Sequence, residues 1–249
     1  MAAKASTNVP STIHLIGGNQ GTIGKTLFTS MLCHLYTSNN RKFVLFNTDT
    51  GKQNISAQYE SRTDANFEGC TEIMMNYSDE GLKADLVYEA ATNQDSKQTA
   101  VDVIVDTPSD SHAKLLYWLH RNGLDQPEFL KSENLKIQLW FLSNGSPTSL
   151  ELLKNTLPKA QALTVVLVKN KGVDNEWNQD KPELAEFLQN QTSIDLGVMP
   201  RGERESTFKK GVAYHNYQGN KLSVNRLNAY LQEQSKRILE LFPLSVGAT

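Results

Sequence analysis

Short apolar runs alternate along this chain with stretches of helical periodicity. The runs are Ile13–Gly17, Phe43–Asn47, Val101–Asp106, Lys136–Leu142 and Leu163–Val168, with a shorter sixth at Ile194–Met199. Continuous apolar runs of this length read as strands buried on both faces. Between them lie helical patterns at Lys25–Tyr36, Ala113–Arg121, Ser149–Leu157, Pro182–Gln189 and Leu222–Phe242. In the first of these, Leu27, Phe28, Met31, Leu32 and Leu35 recur at helical spacing. Strand alternating with helix predicts an α/β protein: a single doubly wound, mostly parallel sheet with helices on both faces. The stretch Gln53–Gln98 is polar and mixed, and is expected to hold one or two helices carrying Ile73, Met74, Leu82, Leu86 and Val87. With no internal repeat and no low-complexity linker, one domain is expected over 11–242. A disordered N-terminal tail (1–10) and a C-terminal tail (243–249) flank it.

Composition narrows the class. The 249 residues are 39% hydrophobic and 21% charged, enough for one large α/β domain. No apolar run is long enough to span a bilayer. Met1–Pro10 is polar and lacks the apolar core of a signal peptide, so a cytoplasmic protein is expected. Two cysteines, Cys33 and Cys70, are too few for a disulfide framework. A net charge of −2 argues against a strongly basic nucleic-acid binder, while leaving room for a local patch.

The candidate chemistry begins where the first run ends. His14-Leu15-Ile16-Gly17-Gly18-Asn19-Gln20-Gly21-Thr22-Ile23-Gly24-Lys25-Thr26 is a strand running into a glycine-rich loop and then a helix. Gly21 and Gly24 lack a Cβ, so the backbone can turn its N–H groups around an anion. The helix adds its positive end. Lys25 would reach the β- and γ-phosphates, and the Thr26 hydroxyl would ligate Mg²⁺. The common Gly-x-x-x-x-Gly-Lys-Ser/Thr spacing asks for glycine where Asn19 stands. A glycine-rich turn that binds nothing is the plain alternative.

Two acids follow strands. Val101–Val105 leads to Asp106 at a strand's C-terminal end, where ligands sit in open α/β sheets, and Asp106 is the candidate metal partner. Phe43–Asn47 leads to Asp49, the candidate for orienting an attacking water. Either carboxylate could instead cap the next turn.

The ordered set Gly21–Thr26, Asp49 and Asp106-Thr107-Pro108 resembles the ParA/MinD family of deviant Walker A P-loop ATPases. That resemblance implies a phosphate loop formed by Gln20, Gly21, Thr22, Ile23, Gly24, Lys25, Thr26 and Leu27. It implies catalysis by Lys25, Asp49 and Asp106, and Mg²⁺ held by Thr26 and Asp106. Val165–Lys171 resembles the family strand ending in an asparagine that contacts adenine, which maps to Asn170. Gly197-Val198-Met199-Pro200 resembles the later strand whose end borders the base, adding Pro200. The family's signature lysine, which crosses an ATP-sandwiched dimer, falls at Gln20, and the second loop glycine at Thr22. Thr50-Gly51-Lys52 replaces the usual Pro-Gln-Gly, and Lys52 and Lys154 are the candidate substitute cations.

The implied function is an ATP-dependent dimerising switch ATPase that partitions or positions DNA or another cytoplasmic cargo through an adaptor protein. Conjugation or mobilisation is a related setting. A small-molecule ligase or reductase-type ATPase, and a non-hydrolysing recruitment module, are the alternatives. Arg201, Arg204, Lys209 and Lys210, with Lys221, Arg226, Lys236 and Arg237, could bind DNA non-specifically or form a solvated face diluted by Glu203, Glu205, Glu233 and Glu240. The C-terminal tail has no cationic face for a membrane. His112, His120 and His215 lack metal-ligand spacing and are expected at the surface or behind the site.

Overall fold

In a computed structural model of the chain, the alternation folds into one seven-stranded sheet. The structure describes residues 9–18, 20–49, 54–59, 67–72, 82–92, 101–173, 177 and 182–244, with side chains except at 54, 67–72, 82, 182–184 and 209. In chain order the elements are β1 (Ser11–Gly17), α1 (Lys25–Ser38), β2 (Phe43–Asn47), α2 (Asn54–Tyr59), β3 (Phe67–Glu72) and α3 (Leu82–Thr92). There follow β4 (Asp102–Asp106), α4 (His112–Arg121), α5 (Pro127–Ser132), β5 (Leu135–Ser143) and α6 (Pro147–Thr156). The last are β6 (Thr164–Asn170), α7 (Pro182–Gln189), β7 (Ser193–Leu196), α8 (Arg201–Lys209) and α9 (Lys221–Leu241).

The strand order is β3-β2-β4-β1-β5-β6-β7, and every pairing is parallel. β1 sits at the centre. The chain builds β2, β3 and β4 on one side of it, then crosses to build β5, β6 and β7 on the other. The loops after β1 and β4 therefore open at a topological switch point. The period-2 alternation of a strand sorts its residues between two helical layers. Ile13, Leu15, Val103 and Val105 face the layer holding Leu115 and Leu119 of α4, while Ile16 and Ile104 face that of α1 and α9.

All six expected strands form. β7 is shorter than its apolar run because Gly197 leaves the ladder for α9. The Gln234 side chain accepts the Gly197 N–H at 3.1 Å, and the Tyr230 hydroxyl donates to the Gly197 carbonyl at 3.1 Å. The mixed stretch after Gln53 holds helices α2 and α3, with Val87 buried, and an unanticipated edge strand, β3. Helices α5 and α8 were also not anticipated, the first too short for periodicity and the second too charged. Ile73, Met74, Asn19 and Lys52 lie outside the described residues, as do 1–8 and 245–249 of the expected tails. Among the described residues no helix is long and apolar enough to cross a membrane.

A polar chain runs through the α1 layer. His14 is fully buried; its Nδ1 accepts from Trp140 Nε1 at 3.0 Å and its Nε2 lies 2.6 Å from the Tyr36 hydroxyl. That hydroxyl donates to Asp102 Oδ2 at 2.9 Å, so His14 carries its proton on Nε2. The other Asp102 oxygen accepts the Thr12 N–H at 2.7 Å, and Arg41 stands 3.5 Å from Oδ2. Burial drives the His14 pKa down to about 3.

Candidate nucleotide site

The site grows from the end of β1. Gly18 and Gly24 hold φ values of +123° and +91°, where a side chain is rarely tolerated. A Cβ on Gly18 would stand 2.6 Å from the Leu142 carbonyl oxygen, and one on Gly24 would stand 2.6 Å from Asn170 Nδ2. Gly21, expected to supply the same freedom, is not in the positive-φ region. Thr22 is instead, at φ +63°, a genuine outlier for a β-branched residue and a cost of about 1–2 kcal/mol. Its hydroxyl donates to the Gly21 carbonyl at 2.6 Å. The position where the family resemblance expects glycine thus keeps the glycine conformation with a threonine in it.

Helix α1 begins at Gly24 with no side-chain cap and no acid in its first turn. Its first N–H groups and positive end are left for an anion. Lys25 is buried and folds back along the loop, with Nζ 3.1 Å from the Gln20 carbonyl oxygen and 3.5 Å from that of Gly18.

Parity along β4 puts Asp106 on the α1 side, as it does Ile104, and the register sets Asp106 between Ile16 and Asn47. The Thr26 and Thr29 hydroxyls bond its carboxylate, Thr29 at 3.0 Å. Burial lifts the Asp106 pKa to about 6; those hydroxyls and Lys25 oppose the rise, and the Asp49 charge adds to it. Thr48 ties the β2 loop to the β4 loop, its N–H and hydroxyl reaching the Asp106 carbonyl at 3.0 and 2.7 Å. The Asp49 N–H donates to Asn47 Oδ1 at 3.1 Å, and Asn47 Nδ2 donates to Ser56 of α2 at 2.8 Å. These ties hold both carboxylates at one sheet edge.

A cavity of about 470 Å³ opens there. Of the sequence-expected residues, Thr22, Gly24, Lys25, Thr26, Leu27, Asp49 and Asn170 line it. Asp106 lies beneath Thr26, and Ile23 is part of the core. Pro200 caps α8, while its neighbours Gly197 and Met199 reach the cavity wall. Gly21 is exposed and does not line it. Gln20 turns away: its amide donates to the Ser146 hydroxyl at 3.2 Å, at the N-terminus of α6 in its own chain. Lys154 is exposed on α6 and does not line the cavity either. Larger grooves of about 700 and 1000 Å³ lie between helices elsewhere, but neither carries the loop and its acids.

Asn170, the residue the resemblance assigns to adenine, is buried and engaged with backbone. Its Nδ2 donates to the Ile23 carbonyl at 2.7 Å, and its Oδ1 accepts the Gly172 N–H at 2.9 Å. It ties the phosphate loop to the loop after β6. Sequence reading missed Phe208 on the cavity wall and placed Arg204 only in a basic cluster. The spacing Pro200, Arg204, Phe208 was the available signal, obscured by the charge of α8.

The histidines divide between their two expected places. His112 lies behind the loop: it is buried, donating from Nε2 to Thr156 at 2.7 Å, and burial lowers its pKa to about 4. His120 is exposed and pairs with Asp125, and His215 is exposed. Much of the basic cluster is neutralised, with Arg201 on Glu205 at 3.0 Å, Arg226 on Glu203 at 2.6 Å and Arg237 on Glu233 at 2.5 Å. The Lys209 side chain lies outside the described residues.

No protein-family model matches the sequence, and no curated protein matches it. Solved structures do. A nucleotide-binding protein in complex with ADP from Archaeoglobus fulgidus aligns at 13% identity with a TM-score of 0.50, over 97% of this chain and 95% of its own. The fold is that of a P-loop NTPase. The cell-division ATPase MinD of Pyrococcus furiosus aligns at 15% identity and 0.48, over 91% and 99% of the two chains. The septum site-determining protein MinD of Pyrococcus horikoshii, complexed with Mg-ADP, aligns at 16% and 0.45, over 91% and 96%. At such identity the likeness concerns architecture, and the chemistry rests on this chain's own residues.

Proposed function

We propose that the chain is an ATP-binding switch ATPase of the ParA/MinD kind, working in the cytoplasm as an ATP-dependent homodimer. The observation that carries this reading is the convergence of an uncapped α1 terminus, Lys25, the Thr26–Asp106 pair and Asp49 on one cavity. The Archaeoglobus protein with this fold holds ADP.

The donor set fits Mg²⁺: a hydroxyl and a carboxylate, both hard oxygen donors, on a loop that presents N–H groups to phosphate. Thr26 and Asp106 would hold the ion, which supplies charge neutralisation on the β- and γ-phosphates. Lys25 leaves its carbonyl partners for the phosphates, a charge-assisted contact worth about 1.5–3 kcal/mol. Asp49 orients the attacking water. Asp106, hydrogen-bonded by two threonines, stays fixed while the phosphate leaves.

The test is a titration with ATP and Mg²⁺. Lys25→Ala abolishes tight binding, and Asp49→Ala keeps ATP bound while turnover drops to background. Unchanged affinity in the first variant removes the loop's role, and unchanged turnover in the second makes Asp49 a turn cap only.

The cargo is a protein reached through an adaptor rather than bare DNA, because the pairing of Arg201, Arg226 and Arg237 with acids leaves less positive charge for phosphate backbones. A second reading, a non-hydrolysing recruitment module, is favoured by one observation: position 20 is neutral and bonded to Ser146 of its own chain. ATP bound without turnover in the native protein selects it.

A further inference from the structure

This inference rests on the nucleotide reading above and concerns the charge that Gln20 does not provide. Helix α8 contributes Arg204, Glu205 and Phe208 to the same cavity that Lys25, Thr26 and Asp49 line. On α8 and α9 the other described arginines are engaged with acids: Arg201 with Glu205, Arg226 with Glu203, Arg237 with Glu233. Arg204 differs. Among the described residues its guanidinium has no hydrogen bond and no ion pair. Its acidic neighbour in the cavity, Glu205, already accepts from Arg201 at 3.0 Å. Arg204 is exposed beside a cavity whose other cation among the described residues, Lys25, lies at the loop.

We propose that Arg204 is a phosphate-binding residue acting within one chain: its guanidinium reaches across the cavity to the phosphate chain of the bound nucleotide, opposite Lys25. A planar fork of N–H donors on a half-open wall suits bidentate contact with phosphate oxygens. Two features support this placement. Arg204 and Lys25 are the two cations among the described residues lining the cavity, and the negative charge of a nucleotide is carried by its phosphates. Its backbone is set firmly, since the Arg204 N–H donates to the Pro200 carbonyl at 3.0 Å and Thr207 hydrogen-bonds the Arg204 carbonyl at 3.2 Å. The nucleotide would thus be gripped by two cations from one chain, without a lysine from a second copy.

The experiment compares the native protein, Arg204→Ala, Arg204→Lys and Lys25→Ala for binding of adenosine, ADP and ATP with Mg²⁺ by calorimetry. Thermal melting confirms that each variant is folded. The expected result is a loss of about ten- to a hundredfold in ATP affinity for Arg204→Ala. The loss shrinks for ADP and vanishes for adenosine, and Arg204→Lys recovers part of it. Native-like ATP affinity in Arg204→Ala, with Lys25→Ala impaired, overturns the role of Arg204 and leaves the site intact. An equal loss for all three ligands also overturns it, placing Arg204 at the base or ribose. A folded native protein that binds none of them overturns the nucleotide reading itself.

Discussion

The contact between Gly24 and Asn170 gives a quantitative test of how the phosphate loop is held. In Gly24→Ala the new methyl would stand 2.6 Å from Asn170 Nδ2, and the residue would keep φ +91°. The clash cannot be relieved for free, because Nδ2 is the donor to the Ile23 carbonyl and the Asn170 side chain is buried. Two costs follow: about 1–2 kcal/mol for a Cβ at positive φ, and about 1–3 kcal/mol for displacing a buried hydrogen bond. Asn170→Ala alone leaves the Ile23 carbonyl and the Gly172 N–H without their side-chain partner, a loss of about 2 kcal/mol for two bonds. In the double variant the clash is gone and only the backbone strain is added to the second loss. The double variant should therefore be more stable than the two single changes predict together, by about 1–3 kcal/mol. Urea denaturation followed by circular dichroism measures each corner of the cycle, with an unchanged m-value as the check on two-state behaviour. A coupling under about 0.5 kcal/mol, the ordinary limit of additivity, would refute the tie between Asn170 and the loop. The same variants separate the two roles of Asn170. If it acts through the loop, Asn170→Ala weakens ATP and GTP alike; a loss confined to ATP assigns it to the base.

Three further outcomes are expected. Tyr36→Phe deletes the hydroxyl that joins His14 to Asp102, leaving a fully buried imidazole N–H unpaired, and should cost about 2–4 kcal/mol in urea denaturation; a cost under about 0.5 kcal/mol would dissolve the relay. His14 has a folded pKa of about 3 against 6.5 when unfolded, so below about pH 6.5 the unfolded chain takes up a proton that the folded chain refuses. The His14 contribution to stability is thus present above pH 6.5 and lost as pH falls toward 3, and ΔG should fall with pH more steeply in the native protein than in His14→Gln; equal slopes would contradict this. Gln20→Lys breaks the bond to Ser146 and adds a charge beside the loop, so light scattering with and without ATP should show stronger nucleotide-dependent self-association; no difference from the native protein means that residue 20 does not face a second copy.

The pattern of apolar runs by itself determined six strands, their parallel burial and the helices other than α5 and α8, because each is a local periodicity of continuous residues. The glycine-rich loop after the first run marked Lys25 and Thr26, and the ends of two further runs marked Asp49 and Asp106. The edge strand Phe67–Glu72 left little trace, as a strand at the margin of a sheet need not be apolar on both faces. Positive φ falls at Gly18, Thr22 and Gly24 rather than at Gly21, and Gly18 and Gly24 are the two that Leu142 and Asn170 closely approach. Chain folding over long separations settled the rest. Asn170 reaches Ile23 across 147 positions and Gln20 reaches Ser146 across 126, and no local window contains either pair. The arginines of α8 and α9 look alike as residues in a row. Only packing reveals that Glu205, Glu203 and Glu233 hold three of them, while Arg204 faces the cavity of the phosphate loop.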